Sequence, residues 1–485
     1  MLFGVVVISI LLLSRPRATP AGQVQPAPPA VNAAASKNII LLICDGSGYN
    51  HVDAASMYQA GSSGGQAYHG FPATYGMSTS SADGHGYDPQ QAWDRFHYVI
   101  SGYTDSAAAA TAMSGGVKTH NGAIGLDRNQ NPVKHVLELA EEQGKATGVV
   151  TTMAVSHATP AGFVAHNLSR YNFDQIAREM ILSSAVDVIM GSGHPWFDND
   201  GRPAQTALSY RYVGGQALWD ELEEGNAGGD CDGDGLSDPW QLVQTRAGFQ
   251  ALSGGAAPKR VLGIAPAHDT LQQLRTDQRG SYPYGAPSPY KDDAPYFVPR
   301  TETVPTLAEM TAAALNVLDD DPDGFLLMVE GGAVDYAAHA NESGRMMEEQ
   351  LDFDRAVGAA IAWVEANGGW SDTLLIVTAD HETGYLTGPG SDPGWEPLVS
   401  KGAGNLPGME WHSDSHTNQL VPLYAKGFGT ALLDRYADEH DPVRGRYLDN
   451  TELAHVMFAC LAKHHTLYLP AIERQATGLA AVLDP

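Results

Sequence analysis

Short, mostly apolar runs constrain this chain more than any other feature. They are NIILLIC (38–44), TGVVT (147–151), VDVIM (186–190), FLLMV (325–329) and TLLIVT (373–378). None sustains the apolar–polar alternation of a strand with one wet face, so each suits a central strand covered on both sides. Helical patterns lie between several of them. NPVKHVLELAEEQG (131–144) stops at Gly144, and MMEEQLDFDRAVGAAIAWVEANGG (346–369) stops at Gly368; glycine is a common helix terminator. Strands alternating with helices predict an α/β fold, with a central, mostly parallel sheet flanked by helices on both faces.

The ends and the insertions read differently. Leu2–Leu13 is an apolar stretch, too short to span a bilayer comfortably but long enough for the core of a signal peptide. No Lys or Arg precedes it, and small residues follow. Residues 1–21 are therefore expected to be a signal peptide, and 22–36, rich in Pro and Ala, a linker. A periplasmic or secreted location follows. No other apolar run approaches transmembrane length. Residues 37–485 read as one domain. Within it, 193–300 is polar and rich in Gly, Pro, Tyr and Asp, as expected of an insertion or cap on the α/β core; 387–411 reads as a long loop. Cys44, Cys231 and Cys460 are far apart and form neither a disulfide framework nor a zinc-finger spacing. One pair could still bridge.

Charge narrows the function. Lys plus Arg number 28 against 56 for Asp plus Glu, a net charge of −28. A nucleic-acid surface needs a basic face, and an anionic membrane would repel this chain. An anionic substrate would need local positive charge, and bound metal ions are the obvious source. The apolar runs lead straight into suitable ligands. Asp45 follows NIILLIC, Glu330 follows FLLMV, and Asp380 with His381 follows TLLIVT. Open α/β sheets bind ligands beyond the carboxyl ends of their strands. One such aspartate is ordinarily a turn residue or cap. Several converging carboxylates would repel one another, and a divalent cation relieves that repulsion.

Further residues add to this rim. Asp335 and His339 are four apart and would share one helix face, a zinc-ligand spacing. A closed zinc site needs another protein ligand, which either His412 or His416 would supply. In YTDSAAAATAMSGG (103–116), Asp105 or Ser106 sits near a helix N-cap. A serine there lies at the positive end of the helix dipole, beside free N–H groups, a setting that suits an attacking alkoxide and a phosphate. HATPAGFVAHNLSR (157–170) contributes His157, Thr159 and Arg170, whose fork would clamp a phosphate. Separately, DCDGDGLSD (230–238) spaces Asp230, Asp232, Asp234, Leu236 and Asp238 as in the first part of a calcium loop; Gln241 stands where the bidentate Glu is usual. It reads equally as a solvated acidic turn.

CDGSG, TDSAAAATA, HATPAGFVAHNLSR, EGGAVDYAAH, TADHETG and HTNQLVPLYAKG occur in this order between Cys44 and Gly427. Together they resemble the alkaline phosphatase family. The resemblance implies that Ser106 is a nucleophile that becomes phosphorylated and that Arg170 holds the phosphate. It assigns Asp335, His339 and His416 to one zinc ion, and Asp45, Asp380 and His381 to a second. Glu330 and Thr159, with Asp45 shared, would frame a third site, usually magnesium; His157 stands where some members carry Asp, and would act directly or through water. Tyr336 and Tyr103 also depart from common family choices. The implied activity is hydrolysis of small phosphate monoesters, by a homodimer. A phosphodiesterase on the same scaffold, or a metal- or phosphate-binding protein without catalysis, are the alternatives. No C/S-x-P-x-R sulfatase motif surrounds Ser106.

Overall fold

The computed structural model describes residues 36–229, 235, 237–283 and 285–462. The predicted signal peptide, all of the linker except Ser36, and residues 230, 232, 234 and 236 of the acidic loop lie outside the described residues. The strands in chain order are β1 (Asn38–Cys44), β2 (Ala73–Ser78), β3 (Ala146–Ala154), β4 (Val188–Ser192), β5 (Gln241–Val243), β6 (Val261–Ile264), β7 (Phe325–Gly331), β8 (Thr373–Thr378), β9 (Glu382–Thr383), β10 (Leu386–Thr387), β11 (Glu410–Trp411), β12 (His416–Thr417), β13 (Val421–Gly427), β14 (Glu439–Asp441) and β15 (Gly445–Asp449). One 11-stranded sheet runs in the order β14-β15-β2-β13-β8-β1-β7-β3-β4-β6-β5. From β8 to β5 every pairing is parallel. β13 runs antiparallel to both its neighbours, β8 and β2.

The apolar runs account for the layers. All seven residues of β1 are buried. Ile39, Leu41 and Ile43 face one core, which receives the helices Ser106–Gly115, Val136–Glu142, Phe173–Leu182 and Asn450–Leu461. Ile40, Leu42 and Cys44 face the other, filled by the helices Leu307–Leu318 and Ser343–Ala366. A strand apolar on both faces has to be covered twice, because each fully buried Leu or Ile contributes about 1.5–3 kcal/mol. The helix Leu307–Leu318 is started by a capping box. Thr306 Oγ1 accepts from Glu309 N at 3.1 Å and Glu309 Oε2 accepts from Thr306 N at 2.9 Å.

Three expectations change. The first helix begins at Val136, not near Asn131, because its first turn is held by the Glu138 carboxylate, which accepts from His135 N at 2.7 Å. The long helix starts three residues earlier than the apolar pattern, at Ser343. The 193–300 stretch is not wholly a cap: β5 and β6 extend the main sheet beside β4. These strands are too short to show as buried runs in the sequence. Among the described residues no helix is long and apolar enough to cross a membrane. Cys44 and Cys460 are buried free thiols, and Cys231 lies outside the described residues.

Candidate metal centre

The order β8-β1-β7-β3 sets four carboxyl ends side by side. Ile43 is in register with both Glu330 and Thr378, and Glu330 with Thr151. Asp45, Glu330, Asp380 and His381 therefore reach one rim, and all are at most 1% exposed. Gly46 makes the approach possible. Its φ is +79°, and a Cβ there would lie 2.6 Å from Cα of Asp335.

The rim divides into adjoining groups. Asp335 Oδ1 lies 3.3 Å from Nε2 of both His339 and His416, whose Nε2 atoms are 3.1 Å apart. Each ring is oriented from behind. His339 Nδ1 meets the Asp414 carbonyl at 2.6 Å, and His416 Nδ1 the Thr104 carbonyl at 2.8 Å. Such bonds leave Nε2 to face a metal. Thr383 Oγ1 donates to Asp335 Oδ1 at 2.6 Å. Next to this group, His381 Nε2 lies 3.5 Å from Asp45 Oδ1 and 3.2 Å from Asp380 Oδ2. The His381 and His416 rings stack at 3.6 Å, joining the two groups. β9 and β12 pair with His416 opposite Thr383, which fixes this proximity.

The rim concentrates buried carboxylates. Burial, then Asp380, Asp335 and Glu330, push Asp45 well above the usual carboxylate range. Burial raises Glu330 to about 7, with Thr151 pulling the other way. Burial and Asp335 raise Asp380 to about 6. Against its own burial, Asp335 is drawn well below the usual range by His339 and His416. Both Asp45 oxygens, Asp380 Oδ2, Glu330 Oε1, Thr159 Oγ1 and His157 Nδ1 are buried without a hydrogen-bond partner. Buried polar groups are normally satisfied. Orphan carboxylates beside imidazoles fit zinc, and the oxygen-rich corner at Glu330 and Thr159 fits a harder ion.

Ser106 opens the helix Ser106–Gly115 and is 2% exposed. Its Oγ is 3.3 Å from His381 Nε2. Asp105 caps this helix, its Oδ1 accepting from Ala108 N at 3.0 Å, while its Oδ2 accepts from Arg170 Nη1 and Gly122 N, each at 3.0 Å. Ser106, Arg170, His339 and His416 open on a pocket of about 510 Å³. His157 also lines it, and burial and Arg170 lower its pKa to about 3, so the ring is neutral.

Some sequence choices are resolved and some residues were missed. His412 stands apart: Thr387 Oγ1 meets its Nε2 at 2.7 Å, and its ring packs on Phe96. In the acidic loop, Asp238 Oδ1 accepts from Lys259 Nζ at 2.8 Å. Sequence reasoning passed over Asp105 as the Arg170 anchor, Thr383, and Thr151, which donates to Glu330 Oε2. Thr151 had a signal, since it is the polar end of a predicted strand. Another grouping, His135, Glu138 and His166, suits a metal poorly. Its two rings stack at 4.4 Å and 13°, so their in-plane lone pairs do not converge. The His166 nitrogens meet Glu179 and the Val133 carbonyl.

The family model described as Alkaline phosphatase matches residues 36–407. An alkaline phosphatase of Escherichia fergusonii is 30% identical over 437 residues, covering 85% of this chain and 85% of its own length. Alkaline phosphatase 4 of Bacillus subtilis is 34% identical over 61% of this chain, and the match spans only 54% of that relative. The solved alkaline phosphatase from the Antarctic bacterium TAB5 superimposes with a TM-score of 0.59 at 25% identity, over 88% of this chain and 98% of that one.

Proposed function

The chain belongs to the alkaline phosphatase family, and from that premise we propose that it hydrolyses phosphate monoesters through a phosphoserine on Ser106. The observation that carries the proposal is the shared pocket. Ser106 Oγ lies at a helix N-terminus 3.3 Å from His381 Nε2, and Arg170 opens on the same space. In this reading, Asp335, His339 and His416 hold one zinc ion; Asp45, Asp380 and His381 hold a second. Glu330, Thr159 and Asp45 hold magnesium, with His157 beside them. When bound, the cations neutralise phosphate charge, strengthen the serine nucleophile and stabilise the leaving oxygen.

The chain's own residues do the rest. Arg170 takes the non-bridging oxygens, and Asp105 holds its guanidinium in place. The helix N-terminus adds backbone donors and a favourable dipole. Ser106 Oγ attacks phosphorus, and the alcohol departs on the opposite side. Water then attacks the phosphoserine, freeing Ser106 and inorganic phosphate. The family likeness and the predicted signal peptide extend the proposal to an exported homodimer. The acidic loop at 230–238 remains a candidate calcium site in this reading.

Hydrolysis of p-nitrophenyl phosphate beside bis-p-nitrophenyl phosphate tests it, before and after chelation with zinc and magnesium add-back. Monoester cleavage that is lost on chelation, restored by metal and absent in Ser106→Ala supports it. Preferential diester cleavage overturns the substrate class, and no cleavage of either by the metal-loaded protein overturns catalysis.

A further inference from the structure

The pocket over Ser106 and Arg170 has a second character beside its charge. Tyr103, Tyr171, Phe173 and Tyr336 all line it. We infer that its mouth is an aromatic subsite that selects phosphate monoesters whose leaving group carries a planar ring within a bond or two of the ester oxygen. The inference rests on the phosphomonoesterase reading above and names its substrate class.

One wall is rigid. Phe173 stacks on His157 at 6.4 Å and 17°, meets the Tyr212 ring edge-on at 5.0 Å, and lies under the Arg211 guanidinium at 5.2 Å. Beside it, 6.5 Å away at 79°, stands Tyr171, a large ring 75% exposed. The turn that presents Tyr171 is pinned. Asn167 Oδ1 accepts from Ser169 N at 3.1 Å and from Asn172 Nδ2 at 2.8 Å, and Arg170 N donates to the Gly122 carbonyl at 2.8 Å. With its backbone fixed, this exposed ring has only its own two side-chain torsions to lose on stacking, a low entropic cost. Tyr171 also directly follows Arg170, about 3.8 Å away by Cα. Arg170 and Tyr171 also line the same pocket, so a phosphate held by Arg170 sets its ester group in the space that the Tyr171 ring faces. Tyr103, which lines the same pocket, stands edge-on to His416 at 5.8 Å. An alkyl group would bury similar area here but would gain no ring–ring term.

The test compares benzyl phosphate with cyclohexylmethyl phosphate on the metal-loaded enzyme. The two match in size and in linkage to the ester oxygen. Benzyl phosphate is expected to have the higher kcat/KM by roughly 2- to 10-fold, expressed mainly in KM. Tyr171→Ala is expected to bring the ratio towards one, and Tyr171→Phe to keep it. Equal kcat/KM values in the unmodified enzyme, or a ratio that survives Tyr171→Ala, overturn the subsite while leaving the phosphomonoesterase reading intact. Hydrolysis of neither ester overturns that reading, and the subsite with it.

Discussion

Asp105→Asn is the most informative single change, because Asp105 serves two structures with two oxygens. Oδ1 caps the helix that carries Ser106, and Oδ2 holds Arg170 and Gly122 N. Asparagine is as good an N-cap as aspartate, so the helix start is kept. The second oxygen becomes either an NH₂ facing a guanidinium or a neutral acceptor, and the ion pair is lost in both cases. The Arg170 and Asp105 side chains are 13% and 18% exposed, so water screens them little. A hydrogen bond between charged groups contributes about 1.5–3 kcal/mol, and an arginine left unpaired here moves the cost towards the upper end. The expected loss of stability is about 2–3 kcal/mol for Asp105→Asn, and about 1 kcal/mol more for Asp105→Ala, which also removes the cap. An Arg170 that is free to swing has to be ordered again by each phosphate. Inhibition by inorganic phosphate should weaken by roughly 5- to 30-fold, equivalent to about 1–2 kcal/mol. Urea denaturation and phosphate inhibition of the metal-loaded variants measure the two effects. Equal stabilities for the Asn and Ala variants, or unchanged phosphate inhibition in either, would refute the division of labour between the two oxygens.

Three further outcomes are expected. Thr383→Val removes the donor to Asp335 Oδ1 and should weaken metal binding by roughly 10- to 100-fold in a chelator competition, as loss of outer hydrogen bonds does at metal sites. Gly46→Ala places a methyl group 2.6 Å from Asp335 Cα at a φ of +79°, so metal content by elemental analysis should fall along with melting temperature. Glu349 is buried on the long helix, 5% exposed; burial, then Asp352 and Glu348, raise it from 4.5 to about 8. With the folded pKa above the unfolded one, its contribution is intact below about pH 4.5 and is lost as pH rises through 8. Glu349→Gln should therefore match the unmodified protein near pH 4.5 and exceed it near pH 8 in denaturation experiments. At about 1.4 kcal/mol per pH unit, the gain is at most about 5 kcal/mol.

Much was legible in the sequence because burial on both faces leaves a strong mark. NIILLIC, FLLMV and TLLIVT read as central strands, and that reading sets the residues after them, Asp45, Glu330 and Asp380, at carboxyl ends. Asp335 and His339 were readable as a pair because four residues span about one helical turn. What the chain could not show locally was which strands are neighbours. The β8-β1-β7-β3 order brings residues more than three hundred positions apart into van der Waals range, and no local pattern encodes that order. Residue type and position left His412 and His416 level; only the family resemblance favoured His416, and the tertiary structure separates the two physically. His412 follows β11 and His416 opens β12 four residues later, and the pairing of β12 with β9 turns His416 towards Asp335 while His412 packs on Phe96. The same holds for Asp105, whose local cue was an ordinary helix cap. Its hold on Arg170 exists only because a turn 65 residues away folds back onto it. Sequence determined the chemistry of this rim, since side-chain type and strand-end position are local properties. Tertiary structure decided its connections, since proximity across a sheet is not.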